Sequence, residues 1–449
     1  MTIPDIAVPG SGGTPPEPGR GAGEDPSRPP GEVPGGAPSH RGASSPAGAA
    51  SSGAPWGDDG PLVGDRFDVE VGAVAHGGHC VARAPDGRVV FVRHALPQER
   101  VTVSVTEVLA GYLRADAVAV LRASPDRVTP PCPYAGRCGG CDFQHAVPEA
   151  QRGLKAAVVR EQLLRLGRLP VDEVDALGIR VRELPGGALG WRSRVRYAVD
   201  ATGRAGLLAH RSHEVVPVDQ CRIAHPGVRD AAVTGVPWPV DNGVEVVAAS
   251  GGDVTVLGDA SGVVSGPAQV RERAVGREWQ LPVEAFWQVH PAAPDTLAAA
   301  VLELLEPAAG ERTWDLYGGA GLFAAALAPR VAAVTLVESD RAAASAARTS
   351  LTDLSNVHIV RSTVERFRPS DSPDVVVLDP PRTGAGAAVV RMVAGAAPRA
   401  VAYVACDPAA FARDVATFRE HGFRLVALRA FDAFPMTHHV ECVGLLTPA

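Results

Sequence analysis

The apolar positions change their period three times along the chain. Residues 1–60 have no period at all: Gly and Pro fill 26 of these positions, padded with Ala and Ser. A segment so poor in apolar side chains cannot bury enough surface to offset its ordering entropy, which predicts a disordered tail. From Pro61 the pattern alternates. Phe67, Val69 and Val71 interleave with Asp68, Glu70 and Gly72, and short apolar runs follow at 80–82, 88–92, 101–105 and 113–121. Four or five short strands broken by tight turns such as Pro85-Asp86-Gly87 predict a β-barrel of OB-like size over 61–125.

Beyond 126 the alternation stops. Residues 126–145 form a loop rich in Pro, Gly and Cys, and 149–167 places Leu154, Val158 and other apolar residues at helical spacing. The stretch 180–290 reads as strands and turns, for example 192–199 and 244–257. From 292 helices alternate with short buried strands. The helices are expected at 294–305, 321–328, 341–351, 385–394 and 408–421; the strands at 312–316, 331–337, 357–360, 374–378, 400–405, 424–431 and 439–446. That alternation predicts an open doubly wound α/β sheet, whose ligands sit at the carboxyl ends of its strands. The expected division is a tail (1–60), a barrel (61–125), a central domain (126–290) and an α/β domain (291–449).

At 449 residues the chain has room for these units. No run approaches the ~20 apolar residues of a membrane-spanning helix, and no basic segment followed by an apolar run marks a secretory signal. Seven cysteines, an odd number, argue against a secreted disulfide scaffold. A cytoplasmic location follows as the expectation, with metal ligation or thiol chemistry for the cysteines. The net charge of −7 hides a gradient: residues 151–225 carry 13 basic and 8 acidic side chains and are the only net-basic stretch. Lys155 is the only lysine in the chain. Arginine suits phosphate contacts, but a GC-rich coding bias gives the same composition, so charge decides nothing about a nucleic-acid partner.

Five motifs carry chemistry. Cys132-x5-Cys138-x2-Cys141 lies in a loop that cannot form a helix, and Cys221 is the natural fourth ligand. Four thiolates suit structural zinc or an iron–sulfur cluster; three clustered cysteines and one remote favour a [4Fe–4S] cluster over the paired knuckles of zinc sites. The run Asp315-Leu316-Tyr317-Gly318-Gly319-Ala320-Gly321 joins a predicted strand to a helix, and Glu338 ends the next strand, placed to accept from ribose hydroxyls. Nicotinamide and S-adenosylmethionine sites share these features; no P-loop signature exists. Asp379-Pro380-Pro381-Arg382 and Cys406-Asp407-Pro408 each follow a strand's carboxyl end. Asp407 as N-cap and Pro408 as first helical residue place the Cys406 thiol at a helix N-terminus, where its pKa is expected to fall, as a nucleophile's would. Glu441 stands in an otherwise apolar strand, where burial is expected to raise its pKa towards that of a general base.

Taken in order, these motifs resemble the bacterial RNA uracil-5-methyltransferase family over 61–449. The resemblance implies a multi-domain α/β protein: a Rossmann-like S-adenosylmethionine methyltransferase domain, an N-terminal OB-like barrel of the TRAM type and a central iron–sulfur domain. It implies that Gln288, in Phe286-Trp287-Gln288-Val289-His290, holds S-adenosylmethionine together with Tyr317, Glu338 and Asp379. It makes Cys406, in Tyr403-Val404-Ala405-Cys406-Asp407-Pro408, the nucleophile, and Glu441, closing Phe434-Pro435-Met436-Thr437-His438-His439-Val440-Glu441, the general base. It makes Cys132, Cys138, Cys141 and Cys221 the ligands of a [4Fe–4S] cluster. The sequence departs from the family at Leu322, His290 and Asp407, where many members place asparagine. The four-cysteine site favours the ribosomal-RNA branch, 23S rRNA in particular, over the tRNA branch. A single-stranded or loop uridine is the expected substrate, since the base must leave its stack. Two other classes compete. A non-catalytic iron–sulfur RNA-binding protein would not need Cys406 and Glu441, and a radical enzyme would need an x3-x2 cysteine spacing without Cys221.

Overall fold

The computed structural model describes Trp56 and residues 60–449. The tail expected over 1–60 therefore lies, but for Trp56 and Gly60, outside the described residues. The alternating segment folds into β1 (Arg66–Glu70), β2 (Cys80–Arg83), β3 (Val89–Arg93), β4 (Arg100–Val108) and β5 (Tyr112–Arg122), in sheet order β1-β4-β5-β3-β2. Only β3 and β5 run parallel. Residues 72–75 turn back onto β2, with Gly72 N–H donating to Val81 O and Ala75 N–H to His79 O, both at 2.7 Å, and this closes the barrel. The period of two puts Phe67, Val69, Val101, Val103 and Leu113 inside, where Phe143 and Val158 from beyond the barrel join them.

The next segment supplies α1 (Pro148–Arg165), α2 (Val171–Ala176), β6 (Val181–Glu183), β7 (Arg194–Val199), β8 (Ala205–Leu208), β9 (Val215–Pro217) and α3 (Pro226–Asp230). It continues with β10 (Gly243–Ala248), β11 (Val254–Gly258), β12 (Gly262–Ser265), β13 (Gln269–Ala274) and β14 (Arg277–Pro282). Strands β7 to β12 make an antiparallel sheet in the order β12-β11-β10-β7-β8-β9, and β13 pairs with β14. The run expected at 244–257 is two strands, because Ser250-Gly251-Gly252 turns the chain and Ala249 N–H bonds Asp253 O at 2.8 Å.

The C-terminal part alternates as its sequence does: α4 (Ala293–Leu305), β15 (Arg312–Leu316), α5 (Leu322–Leu327), β16 (Ala333–Glu338), α6 (Arg341–Ser350), β17 (Val357–Arg361), β18 (Val375–Leu378), α7 (Gly386–Gly395), β19 (Ala400–Ala405), α8 (Pro408–Glu420), β20 (Phe423–Asp432) and β21 (Glu441–Pro448). Eight strands form one sheet in the order β17-β16-β15-β18-β19-β21-β20-β6. The first five are parallel and β21 is antiparallel to both neighbours. Every residue of β18 and β19 is buried, as strands covered on both faces must be. One face packs Val375, Val377, Ala402 and Val404 against α4 and α5. The other packs Val376, Leu378, Val401 and Tyr403 with Val389, Phe411 and Val415, and with Val159 and Leu163 of α1. Two elements of the 126–290 segment thus serve the C-terminal sheet: α1 covers one face, and β6 extends its edge beside β20. Their apolar residues find their partners more than 200 residues away. Among the described residues no helix is long and apolar enough to cross a membrane.

Candidate active site

The strand registers bring the chemistry together. Leu316 pairs with Val337 and with Leu378, so Tyr317, Glu338 and Asp379 leave three adjacent parallel strands at the same level. Ala405 pairs with Cys442 across β19 and β21, and one step further puts Cys406 opposite Glu441. The antiparallel strand β21 thus starts where β19 ends. With Gln288, in the loop after β14, these residues line one cavity of about 1020 Å³. Single-ligand sites run roughly 300–1,000 Å³; this one has room for a cofactor and a nucleotide. Phe286, 73% exposed, stands at its wall beside Gln288.

The turn after β15 is built for close approach. Tyr317 adopts φ 64° and Gly319 φ 55°, the left-handed region that non-glycine residues enter at a cost. A Cβ on Gly318 would come within 2.5 Å of Leu336, whereas one on Gly319 would meet nothing within 4 Å, so bare backbone faces the cavity there. The Glu338 carboxylate accepts Gly319 N–H at 2.9 Å and Asp340 N–H at 2.6 Å, one on each oxygen. Each oxygen keeps lone-pair capacity for a hydroxyl donor. A bare cradle, a braced carboxylate, and the amide and phenol of Gln288 and Tyr317 on the same wall fit the adenosine, ribose and amino-acid ends of S-adenosylmethionine.

The electrostatics correct one expectation. Cys406 was to have a lowered pKa from the helix N-terminus; instead its thiol is pushed up to about 12. Burial is the largest cause, and Glu441, Asp379 and Asp407 add to it, with only Arg382 opposing. The physical reason is placement. Asp407 is the N-cap, its Oδ1 takes Ala410 N–H at 2.7 Å, and Cys406 lies outside the first turn, where the dipole's effect has faded. Three carboxyls then outweigh one guanidinium.

Those carboxyls form a graded set. Glu441 is 3% exposed and is held well above the usual carboxylate range by burial and by Asp379, against Arg382. Asp379 is raised to about 7 by burial and by Asp315. Asp315, fully buried, is raised to about 7 as well; its Oδ2 accepts Ala324 N–H at 2.9 Å and its Oδ1 has no partner. Asp315 is not among the residues the sequence singles out; an acid within a buried strand, two residues before a glycine-bearing turn, is the signal that marks it. Arg382, likewise only one letter of a motif, is the cation that faces both Cys406 and Glu441.

The segment 433–440, between β20 and β21, completes the wall with Phe434, Thr437, His438 and His439. Asp142 binds it from across: its carboxylate accepts His438 N–H at 3.0 Å and faces His438 Nδ1 at 2.7 Å, and Asp142 N–H and Phe143 N–H both reach Met436 O at 2.9 Å. Burial draws the His439 imidazole down to about 3, so it is neutral.

The four cysteines from the two segments line a second, smaller cavity of about 40 Å³, which shares Gly140 and Arg192 with the first. The loop reaches β8 through Gly139 N–H, which donates to Leu208 O at 2.9 Å, and Cys221 follows β9. Among the described residues no three His, Cys, Asp or Glu side chains are set to hold a single metal ion. A mononuclear zinc would need its thiolates to converge at ~2.3 Å, whereas each iron of a cubane cluster takes its own thiolate. The four cysteines around this cavity match a cubane cluster in number, one thiolate for each iron. Gly140 N–H already donates to Cys138 Sγ at 3.4 Å, a bond that favours a thiolate.

Comparison with known proteins bears on this arrangement. The TRAM domain family matches residues 62–118, and the family described as tRNA (Uracil-5-)-methyltransferase matches residues 278–448. An uncharacterized RNA methyltransferase of Streptomyces avermitilis is 47% identical over 86% of this chain and 99% of its own. The 23S rRNA (uracil(1939)-C(5))-methyltransferase RlmD of Chromohalobacter salexigens is 33% identical over 83% of this chain and 88% of its own. Among solved structures, the Pyrococcus abyssi tRNA (uracil-54, C5)-methyltransferase in complex with S-adenosyl-L-homocysteine superposes with a TM-score of 0.64, over 84% of this chain and 99% of that one. Its identity is 22%, a likeness of fold.

Proposed function

The chain belongs to the RNA (uracil-5-)-methyltransferase family, and from that premise we propose that it methylates C5 of a uridine in 23S rRNA through a covalent adduct at Cys406. S-adenosylmethionine, when bound, supplies an electrophilic methyl group on a sulfonium. Gln288, Tyr317, Glu338 and Asp379 would hold it against the β15–β16–β18 strand ends. The single observation that carries the reading is the placement of Cys406 opposite Glu441 across β19 and β21, in the wall of the same cavity.

Uracil C5 is a poor nucleophile. Addition of the Cys406 thiolate to C6 turns the ring into an enolate with electron density on C5, and C5 then takes the methyl group. Glu441 removes the C5 proton, the C5–C6 double bond re-forms and the thiolate leaves. Burial pushes the Cys406 thiol and the Glu441 carboxyl towards their protonated forms, and Arg382 is the residue that favours both ionised forms. The exposed Phe286 ring offers a stacking face to an unstacked base. Cys132, Cys138, Cys141 and Cys221 would hold a [4Fe–4S] cluster with a structural role.

The test is tritium release from RNA carrying C5-tritiated uridine, with S-adenosylmethionine present. We expect release from 23S rRNA transcripts by the wild type and a loss of at least 1,000-fold in Cys406→Ala, on the order of what removing a nucleophile costs. Release from tRNA and not from rRNA would move the substrate to the other branch. Undiminished release by Cys406→Ala would overturn the adduct.

A further inference from the structure

Lys155 is the only lysine among the chain's 43 Lys and Arg side chains. It is also the only one of them, among the described residues, that is fully buried. Its ammonium donates to Asp432 Oδ1 at 2.5 Å and to the Phe434 carbonyl at 3.0 Å, with side chains 0% and 3% exposed in the ion pair. One turn earlier on α1, Gln151 accepts Met436 N–H at 2.9 Å and donates to Ala146 O at 2.9 Å. One helix face thus holds positions 432, 434 and 436 of the strip that leaves β20 and enters β21 at Glu441. That strip carries Phe434, Thr437, His439 and Glu441 into the cavity wall. At Met436 it turns through φ 68°, a conformation that persists only where the surroundings over-determine it.

Stability alone does not call for an ion pair here. Well-packed apolar residues in place of a buried pair are commonly neutral or stabilising. What the pair supplies is direction: a compact ammonium with three donors, reaching a carboxylate and a carbonyl at once, where a planar guanidinium would need a wider slot. Arginine occupies every other basic position in the chain. Lysine stands where two acceptors must be gathered at one buried point.

We propose that Lys155 is a positioning residue for proton abstraction: through Asp432 and the Phe434 carbonyl it fixes the strip that presents Glu441 to the methylated base. The inference rests on the adduct reading above. In that step the Glu441 carboxylate takes the C5 proton, the C–H electron pair becomes the C5–C6 double bond, and the C6–S bond breaks to return the Cys406 thiolate. A displaced strip slows this step while addition and methyl transfer go on, so the protein–RNA adduct accumulates.

The experiment incubates full-length protein with S-adenosylmethionine and 23S rRNA transcript and resolves covalent adduct on denaturing gels, alongside kcat and KM. The variants are Lys155→Arg and the double variant Lys155→Met with Asp432→Leu, which leaves no orphaned charge. Glu441→Gln and Cys406→Ala serve as references. We expect kcat to fall at least tenfold in both Lys155 variants, KM for S-adenosylmethionine to stay within twofold, and adduct to rise at least fivefold, as in Glu441→Gln. Wild-type kcat and no added adduct in the Lys155 variants, with Glu441→Gln trapping it, overturn the positioning role alone. No adduct in Glu441→Gln overturns the underlying reading and the proposal with it. A second measurement needs no variant: acylation of wild-type Lys155 by an amine-reactive ester, read by mass at the one lysine. At least 100-fold protection relative to denatured protein is expected; labelling at the denatured rate in active protein would show that the strip is not held.

Discussion

Asp315 shows what a single buried acid costs at this site. Its carboxyl and that of Asp379 titrate near 7, both raised chiefly by burial, whereas unfolded aspartates titrate near 4. Between those values the native state binds more protons than the unfolded chain, so stability falls as pH rises across about 4 to 7, and the full penalty stands above 7. At about 1.4 kcal/mol per pKa unit, the Asp315 share is on the order of 4 kcal/mol at pH 8. Asp315→Asn keeps an oxygen for Ala324 N–H and removes the charge. We expect it to melt higher than the wild type at pH 8 and level with it at pH 4, in thermal unfolding followed at both values. A variant that melts lower at pH 8 would mean that the charge is satisfied. The unpartnered Oδ1 belongs to a residue two positions before Tyr317, where the turn that lines the cavity begins.

Among elements, the joint between barrel and active site turns on the hairpin bend at 75–79. Gly78 has φ 79°, and a Cβ there would lie 2.8 Å from His438 Cβ and 3.2 Å from Asp142 Cβ. His76 beside it reaches Asp407 Oδ2 at 3.0 Å, on the residue that caps α8 next to Cys406. The barrel therefore touches the wall that holds His438 and the cap that follows Cys406. Gly78→Ala meets both the backbone and the contact penalty, roughly 1–3 kcal/mol. We expect a melting temperature several degrees lower and a reduced kcat; an unchanged enzyme would show the bend to be free of His438. None of this was legible in the sequence. Period-two and helical patterns give the strands of the barrel and most of the α/β elements within three residues, because local burial sets them: 312–316 and 400–405 fall on β15 and β19. Strand ends and glycine turns likewise brought Tyr317, Glu338, Asp379 and Cys406 to one edge, whereas Glu441, expected inside a strand at 439–446, is the first residue of β21. What stayed hidden depends on partners distant in sequence: the raised Cys406 thiol comes first from burial in the assembled cavity and then from carboxyls such as Glu441 and Asp379, and β6 and α1 serve a sheet that begins more than a hundred residues later.

At the scale of the whole molecule, the cysteine site and the reaction cavity share walls. Trp191, Ile223 and Met436 form a small core against which Cys141, Cys221 and Phe434 pack. Gly140 and Arg192 border both cavities, and Asp142, one residue beyond Cys141, grips His438. A group held by the four cysteines would therefore brace the strip that ends at Glu441. Free thiols give no such brace, since burial pushes the Cys141 thiol up to about 12 and a neutral thiol repels nothing and binds little. Ligation would deprotonate all four and convert their burial into binding energy, which is folding energy. Cys221 alone joins the site from the far segment, so Cys221→Ala is the informative change. In anaerobically purified protein we expect about four irons per chain in the wild type and well under one in the variant. The variant's melting temperature should fall by roughly 10 °C, in line with the several kcal/mol that a structural metal site contributes. One zinc per chain and no iron would replace the cluster by a structural zinc and leave the bracing argument standing; a metal-free protein of unchanged activity and stability would remove both.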